Sequence, residues 1–271
     1  MKPLISIIIP TYQRCSRLKI ALESVLSQTY NNYEVLIIDD GSIDGTKEIV
    51  DSFKDSRIFY KWQSNSGGPA NPRNEGIKIA RGEWIAFLDS DDWWTNDKLE
   101  VCFAKTNQNV DFIYHQMKIR SKKPKLFSRN KTKIKPLTKP VLKDLLIGGN
   151  VISNSSVVVR KNLLDKIGYI DEREDLVAAE DYHTWLRIAE LTNKFLYIPQ
   201  SLGYYFEHDN NLSKKDMSMP FRNAVSEFKK LLTNQENLKL EANIKYISCK
   251  FYFLNNDHNK SKKDLMYVLK N

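Results

Sequence analysis

Four short strand-like runs in the first ninety residues, with helical spacing between them, restrict this chain to very few architectures. Residues 4–9 form a continuous β-branched run that Pro10 ends, and residues 33–38 end in Asp39-Asp40-Gly41-Ser42. Residues 57–62 run into Asn65-Ser66-Gly67-Gly68, and residues 84–88 stop at three carboxylates, Asp89, Asp91 and Asp92. Residues 4–9, 33–38 and 84–88, apolar at nearly every position, suit strands buried on both faces, and 57–62 reads as one more strand of the set. Leu18, Leu22, Val25 and Leu26 repeat at helical spacing after the first run, a turn-rich Ser42-Ile43-Asp44-Gly45 precedes a helix through Ile49, and Arg73, Asn74, Ile77 and Ala80 mark a third helix. Strand and helix in alternation predict an α/β, doubly wound, Rossmann-like sheet whose ligand crevice lies at the carboxyl ends of the strands.

Three of those ends carry Thr11, Asp40 and the acids from Asp89 to Asp91, so they are expected to converge on one pocket. Carboxylates this close raise one another's pKa unless a cation or donors compensate, and a divalent metal held by oxygen ligands is the cheapest compensation. An acidic turn capping the helix expected from about Asn96 is the plainer explanation. Gly67 and Gly68 let backbone approach a ligand.

Further on, the spacing predicts a helix from beyond Asp97 to about Asn107, a strand over 110–117, a short helix over 142–147, a strand over 155–159 and a helix over 161–167. Glu180-Asp181 opens a helix with Trp185, Leu186, Ile188 and Ala189, and acids in a first helical turn are favoured by the dipole alone. Strands are expected over 194–198 and 202–207, with His208 just past the second. After Met217, Phe221, Val225, Phe228, Ile244, Ile247, Phe251, Leu265 and Leu269 mark amphipathic helices with lysines on their polar faces. A soft boundary falls near Ser213, giving a domain over 1–213 and a helical region over 214–271.

Charge matters in one place. The net charge is +9, and residues 120–139 hold nine basic residues and no acidic one. That is a solvated loop, or a surface for an anionic partner, a membrane face or a phosphate-bearing substrate. Nucleic acid is not expected, because no recognition module and little aromatic interleaving accompany the run. Cys15, Cys102 and Cys249 lack metal-type spacing and read as free thiols. No apolar run reaches the eighteen or so residues of a membrane span, and Met-Lys-Pro leads straight into a strand. The expectation is a cytoplasmic protein in peripheral contact with the inner face of an anionic plasma membrane. No pattern bears on oligomeric state.

As a set, Ile7-Ile8-Ile9-Pro10-Thr11-Tyr12, Val35-Leu36-Ile37-Ile38-Asp39-Asp40-Gly41-Ser42, Gly67-Gly68-Pro69-Ala70 with Arg73-Asn74-Glu75-Gly76, Gly82-Glu83-Trp84 through Asp92, and Glu180-Asp181 with Trp185-Leu186 resemble glycosyltransferase family 2. The resemblance covers about residues 4 to 213. It implies the GT-A fold, a nucleotide-activated sugar as donor and inversion at the anomeric carbon, with nucleotide-sugar binding over 1–110 and the acceptor side over 111–213. Carried over by position, it assigns nucleotide-sugar binding to Pro10, Thr11, Tyr12, Asp40, Gly67, Arg73, Asp89 and Ser90. Thr11 and Asp40 face the base, Asp40 accepting from the ring N–H of uracil or thymine. By the same resemblance Asp91 would be the principal ligand of Mg²⁺ or Mn²⁺, with Asp89 near ribose and metal and His208 near metal or diphosphate. Asp181 matches the general base and Glu180 its supporting neighbour.

Elementary chemistry asks for the same parts. A metal on the departing diphosphate lowers the barrier electrostatically, and inversion needs a carboxylate on the opposite face to take the acceptor hydroxyl proton. The implied partners are a UDP-sugar or dTDP-sugar donor and a glycan or polyprenyl-linked saccharide acceptor of bacterial surface polysaccharide synthesis. Two other classes compete. Nucleotidyl transfer to a sugar phosphate usually needs a glycine-rich basic loop after the first strand, where this chain has Pro10-Thr11-Tyr12-Gln13. A non-catalytic nucleotide-sugar-binding module would not need both Asp91 and Asp181.

Overall fold

The computed structural model describes residues 2–104, 109–121, 130–208, 211 and 214–270. Eight strands are present among them: β1 Ile5–Thr11, β2 Tyr33–Asp39, β3 Ile58–Trp62, β4 Trp84–Phe87, β5 Trp93–Trp94, β6 Phe112–Ser121, β7 Val158–Arg160 and β8 Phe195–Glu207. Ten α-helices accompany them: α1 Cys15–Leu26, α2 Thr46–Ser52, α3 Ala70–Ile79, α4 Lys98–Ala104, α5 Val141–Gly148, α6 Lys161–Lys166, α7 Glu180–Leu191, α8 Ser218–Val225, α9 Asn234–Leu254 and α10 His258–Val268.

The strands form one sheet in the order β3-β2-β1-β4-β7-β6-β8-β5. Its first four members are parallel; every residue of β1 and β2 is buried, whereas β3 at the edge is partly exposed. Ile5, Ile7 and Ile9 of β1 and Val35 and Ile37 of β2 pack with Leu18, Leu22 and Val25 of α1. Each such side chain, fully withdrawn from water, contributes ~1.5–3 kcal/mol. β7 runs antiparallel between β4 and β6, which makes the sheet mixed.

A buried polar clamp fixes where β4 begins. The Ser6 hydroxyl donates to Glu34 at 2.6 Å, Glu34 accepts from Arg81 N at 2.8 Å, and Gly82 N donates to Ser6 Oγ at 2.8 Å. With its start pinned there, β4 delivers the acids after Leu88 to the carboxyl rim beside Thr11 and Asp40.

Two expectations need correction. Residues 155–159 are not one strand: Asn154–Ser156 make a single 3-10 turn before β7. Residues 194–198 and 202–207 are one strand, because Pro199-Gln200-Ser201 is absorbed as a register shift opposite His115, Gln116 and Met117 rather than turning the chain. The helix expected beyond Asp97 begins there as α4, Lys98–Ala104, and residues 105–107 of that expectation lie outside the described residues. Also outside them are 122–129 of the basic run and Ser213.

The chain divides into two units. The first comprises 1–136, 152–170 and 194–207 and holds the whole sheet; the second comprises 137–151, 171–193 and 208–271. The helical C-terminal region therefore packs with α5 and α7 in one body, where Tyr182 donates to Leu145 O at 2.8 Å and Lys143 pairs with Glu236 at 2.6 Å. No helix among the described residues is long and apolar enough to cross a membrane.

Candidate active site

In the first unit, β1 and β2 end side by side, with Thr11 registered against Asp39. Asp40 N donates to Thr11 O at 2.8 Å, so Thr11 and Asp40 are neighbours at the rim, and both are buried. Pro10 lies within β1 opposite Ile38, whereas Tyr12 just beyond it is exposed. Asp39 turns inward, accepting from Tyr60 Oη at 2.6 Å and Ser42 N at 2.8 Å.

Asp40 carries a dense set of donors. Gln63 Nε2 at 2.8 Å, Asn65 Nδ2 at 3.3 Å, Ser66 N at 3.1 Å and Ser66 Oγ at 3.0 Å all reach its carboxylate. These donors fix the acid in place and come from the loop that Gly67 continues at φ +84, a left-handed conformation in which a side chain would be strained.

The acids after β4 have separate partners. Arg73, buried on α3, donates to Asp89 Oδ1 at 2.7 Å, and Asn154 Nδ2 donates to the same oxygen at 2.8 Å. Asp89 N donates to Ser155 Oγ at 3.1 Å. Asp91 Oδ2 accepts a charge-assisted hydrogen bond from Arg14. Ser90 is buried between them. Asp92 is buried as well and accepts from Phe206 N at 2.9 Å. Loss of water, reinforced by the nearby Asp89 charge, pushes the Asp92 carboxyl up to about 7. Three acids are thus accommodated by two arginines and by one acid that holds a proton near neutrality.

Arg14, Asn154, Ser155, Gln63 and Ser66 are the residues that sequence reasoning missed. Only Arg14 left a trace there, as the cation directly after Tyr12-Gln13 and before the first helix.

Among the described residues no group of three His, Cys, Asp or Glu side chains is arranged to hold a metal by itself. Asp89 and Asp91 nevertheless supply hard carboxylate oxygens, a donor set that suits Mg²⁺ or Mn²⁺ when phosphate oxygens and water complete the shell.

The remaining expected site residues belong to the second unit. Glu180 and Asp181 open α7, as their position in the sequence requires. Glu180 is buried, and its carbonyl accepts from Thr184 Oγ1 at 2.7 Å. Asp181 is partly buried, its Oδ1 accepting from Tyr182 N at 2.6 Å and Asn150 Nδ2 at 3.5 Å. Two carboxylates at the start of a twelve-residue helix lie in the favourable end of its dipole and remain good acceptors. His208, at the start of the last segment of this unit, donates from its backbone N to Asn211 Oδ1 at 2.5 Å.

The sequence model of Glycosyl transferase family 2 matches residues 6–168, which include β1 from Ser6 onward, β2 to β4, α3 and the acids after Leu88. The chain belongs to glycosyl transferase family 2. Two named enzymes of Escherichia coli are similar to this family member. The UDP-Glc:alpha-D-GlcNAc-diphosphoundecaprenol beta-1,3-glucosyltransferase WfaP is 32% identical over 266 residues, covering 92% of each chain. WfgD, described by the same activity, is 35% identical over 193 residues, covering 70% of this chain and 71% of its own. Among solved structures, S. aureus TarS 1-349 in complex with UDP-GlcNAc superposes with a TM-score of 0.67 at 18% identity, over 96% of this chain and 90% of that one. That likeness is one of fold, the GT-A arrangement of a sheet with flanking helices, and the protein is a glycosyltransferase.

Proposed function

We infer that this family 2 enzyme moves a sugar from UDP, with inversion, to a hydroxyl of a lipid-diphosphate-linked saccharide in bacterial surface polysaccharide synthesis. The observation that carries the reading is the junction of Arg73, Asp89 and Asp91 at the end of β4, beside the Thr11 and Asp40 rim. Two relatives whose names specify a UDP-Glc donor and a GlcNAc-diphosphoundecaprenol acceptor support it.

In this reading Asp40, its carboxylate oriented by Gln63, Asn65 and Ser66, accepts from the ring N–H of uracil, and Thr11 lies against the base. Pro10, Tyr12, Gly67 and Ser90 line the nucleotide. Arg73 holds Asp89 toward ribose and puts a buried positive charge near the diphosphate. A divalent Mg²⁺ or Mn²⁺ held by Asp91, with Asp89 beside it, would supply charge neutralisation on the departing UDP. Asp181 takes the proton of the acceptor hydroxyl as that oxygen attacks the anomeric carbon, Glu180 supports it, and His208 serves the diphosphate side. Residues 1–110 handle the donor and 111–213 the acceptor. The basic run over 120–139 brings the enzyme to an anionic membrane face, which co-sedimentation with anionic vesicles at low salt measures.

Calorimetry and turnover on two variants test the assignment together. Asp91→Ala is expected to lose metal-dependent UDP binding by at least about a hundredfold, the scale of a lost metal ligand. Asp181→Ala is expected to bind UDP as before and to transfer sugar about a thousandfold more slowly. Metal-dependent UDP binding that survives in Asp91→Ala would overturn the metal assignment, and pyrophosphate release would redirect the reaction to nucleotidyl transfer.

A further inference from the structure

Among the described residues, three cations on one face of the sheet have no carboxylate to balance them. Trp93 of β5 lies opposite Tyr204 of β8, Tyr204 lies opposite Lys118 of β6, and Lys118 forms an antiparallel bridge with Lys131. Registered residues of neighbouring strands project to the same side, as do residues two apart on one strand, so Arg120 and its partner Phe206 share that face.

The contacts agree with this register. The Trp93 and Tyr204 rings stack with centroids 5.1 Å apart. Lys118 Nζ lies 5.6 Å and the Arg120 guanidinium 5.2 Å from the Tyr204 centroid. Arg17 of α1 sits over Phe206 at 3.7 Å.

Two lysines directly opposite each other destabilise a sheet, and Arg120 adds a third positive charge around the same ring. Among the described residues no carboxylate pairs with Lys118, Arg120 or Lys131. Cation–π contact with Tyr204 holds the two β6 cations in place without neutralising them. The face also adjoins the acids of β4: Trp93 follows Asp92 directly, and Phe206 N donates to Asp92. A polyanion placed here would lie next to the donor's end of the sheet, on strands that do not carry the donor residues.

We propose that this face binds the diphosphate of the acceptor, with Lys118, Arg120 and Lys131 on its phosphate oxygens and Trp93 beside the acceptor sugar. The inference deepens the function proposed above and rests on it for the source of the anion. The guanidinium fork of Arg120 matches phosphate oxygens in pairs, and the lysines add charge that tolerates several diphosphate conformations.

The test is calorimetry on the full chain with UDP present, using N-acetylglucosamine joined through a diphosphate to a short alkyl chain, and the matching alkyl glycoside without phosphate. Lys118→Gln combined with Arg120→Gln is expected to weaken binding of the diphosphate probe by about tenfold or more, a difference near 1.4 kcal/mol. Its UDP affinity and its weak affinity for the glycoside should not change. Lys118→Arg, which keeps the charge, should bind the diphosphate probe like the parent protein. Unchanged probe binding in the double variant would overturn the proposal, as would a parent protein that does not bind the probe. An equal loss of UDP binding would overturn it too, by assigning these cations to the donor. A parent protein that binds the probe through this face yet transfers no sugar to it would count against the proposed function and leave the face as a diphosphate site.

Discussion

Arg14 and a divalent cation compete for the same carboxylate, because the guanidinium already bonds Asp91 Oδ2. Burial lowers the pKa of Arg14 from its ordinary value, against the pull of Asp89 and Asp92, but an arginine stays charged at any working pH. Arg14→Ala should therefore raise the affinity for Mn²⁺ alone by about three- to tenfold, read from the free-ion signal in electron paramagnetic resonance without nucleotide. An unchanged affinity would mean that Arg14 yields the oxygen at no cost. At this scale the sequence revealed one kind of residue and hid another. Asp40, Asp89 and Asp91 stand out because each comes just after a buried apolar run, where a charge is costly unless donors or a ligand meet it. Arg14 and Asn154 do not, since they meet Asp91 and Asp89 from 77 and 65 residues away and only tertiary packing brings them in.

Elements were legible wherever their periodicity was forced by burial. β1, β2 and β4 are withdrawn from water on both faces, so their composition had no freedom to mislead. β5 has two residues and no period to read, and β8 passes through Pro199-Gln200-Ser201, which in isolation has the chemistry of a turn. How closely the elements pack follows from single positions. A Cβ built at Gly76 of α3 would lie 2.6 Å from Ile8 Cγ2 of β1, so the missing side chain lets this helix sit directly on the strand. Gly76→Ala should cost ~1–3 kcal/mol, measured as a lower urea midpoint at unchanged slope. Because α3 also carries Arg73, the same variant should weaken UDP binding more than its stability loss alone explains.

Over the whole molecule, two buried groups give the stability a predictable pH dependence. Lys98 is fully buried, its Nζ has no hydrogen-bond partner among the described residues and lies 3.7 Å from the Trp94 ring centroid, and burial depresses its pKa to about 8. Between pH 8 and the unfolded value of 10.5 the unfolded chain binds the extra proton, so the native state gains stability as pH rises through that window. Lys98→Met should raise the melting temperature at pH 7, where the buried ammonium costs on the order of 1–3 kcal/mol, and should flatten the curve between pH 8 and 10.5. His115, buried and depressed to about 3, acts at the other end: stability falls as pH drops from 6.5 toward 3, because unfolding takes up a proton that the native state refuses. Thermal melts of His115→Asn beside the parent protein across that window isolate the contribution, and parallel curves would sink it.

The division into units is the large-scale feature that local sequence patterns hid, since the chain passes between the two bodies five times. Its consequence falls on synthesis. The sheet's β7 and β8 are made only after residues of the other body, so neither body can close while the nascent chain is still short of residue 207. Until residue 160 is made, β4 is paired with β1 on one side only, and the emerging polypeptide depends on chaperones or on speed to keep its other edge from other chains.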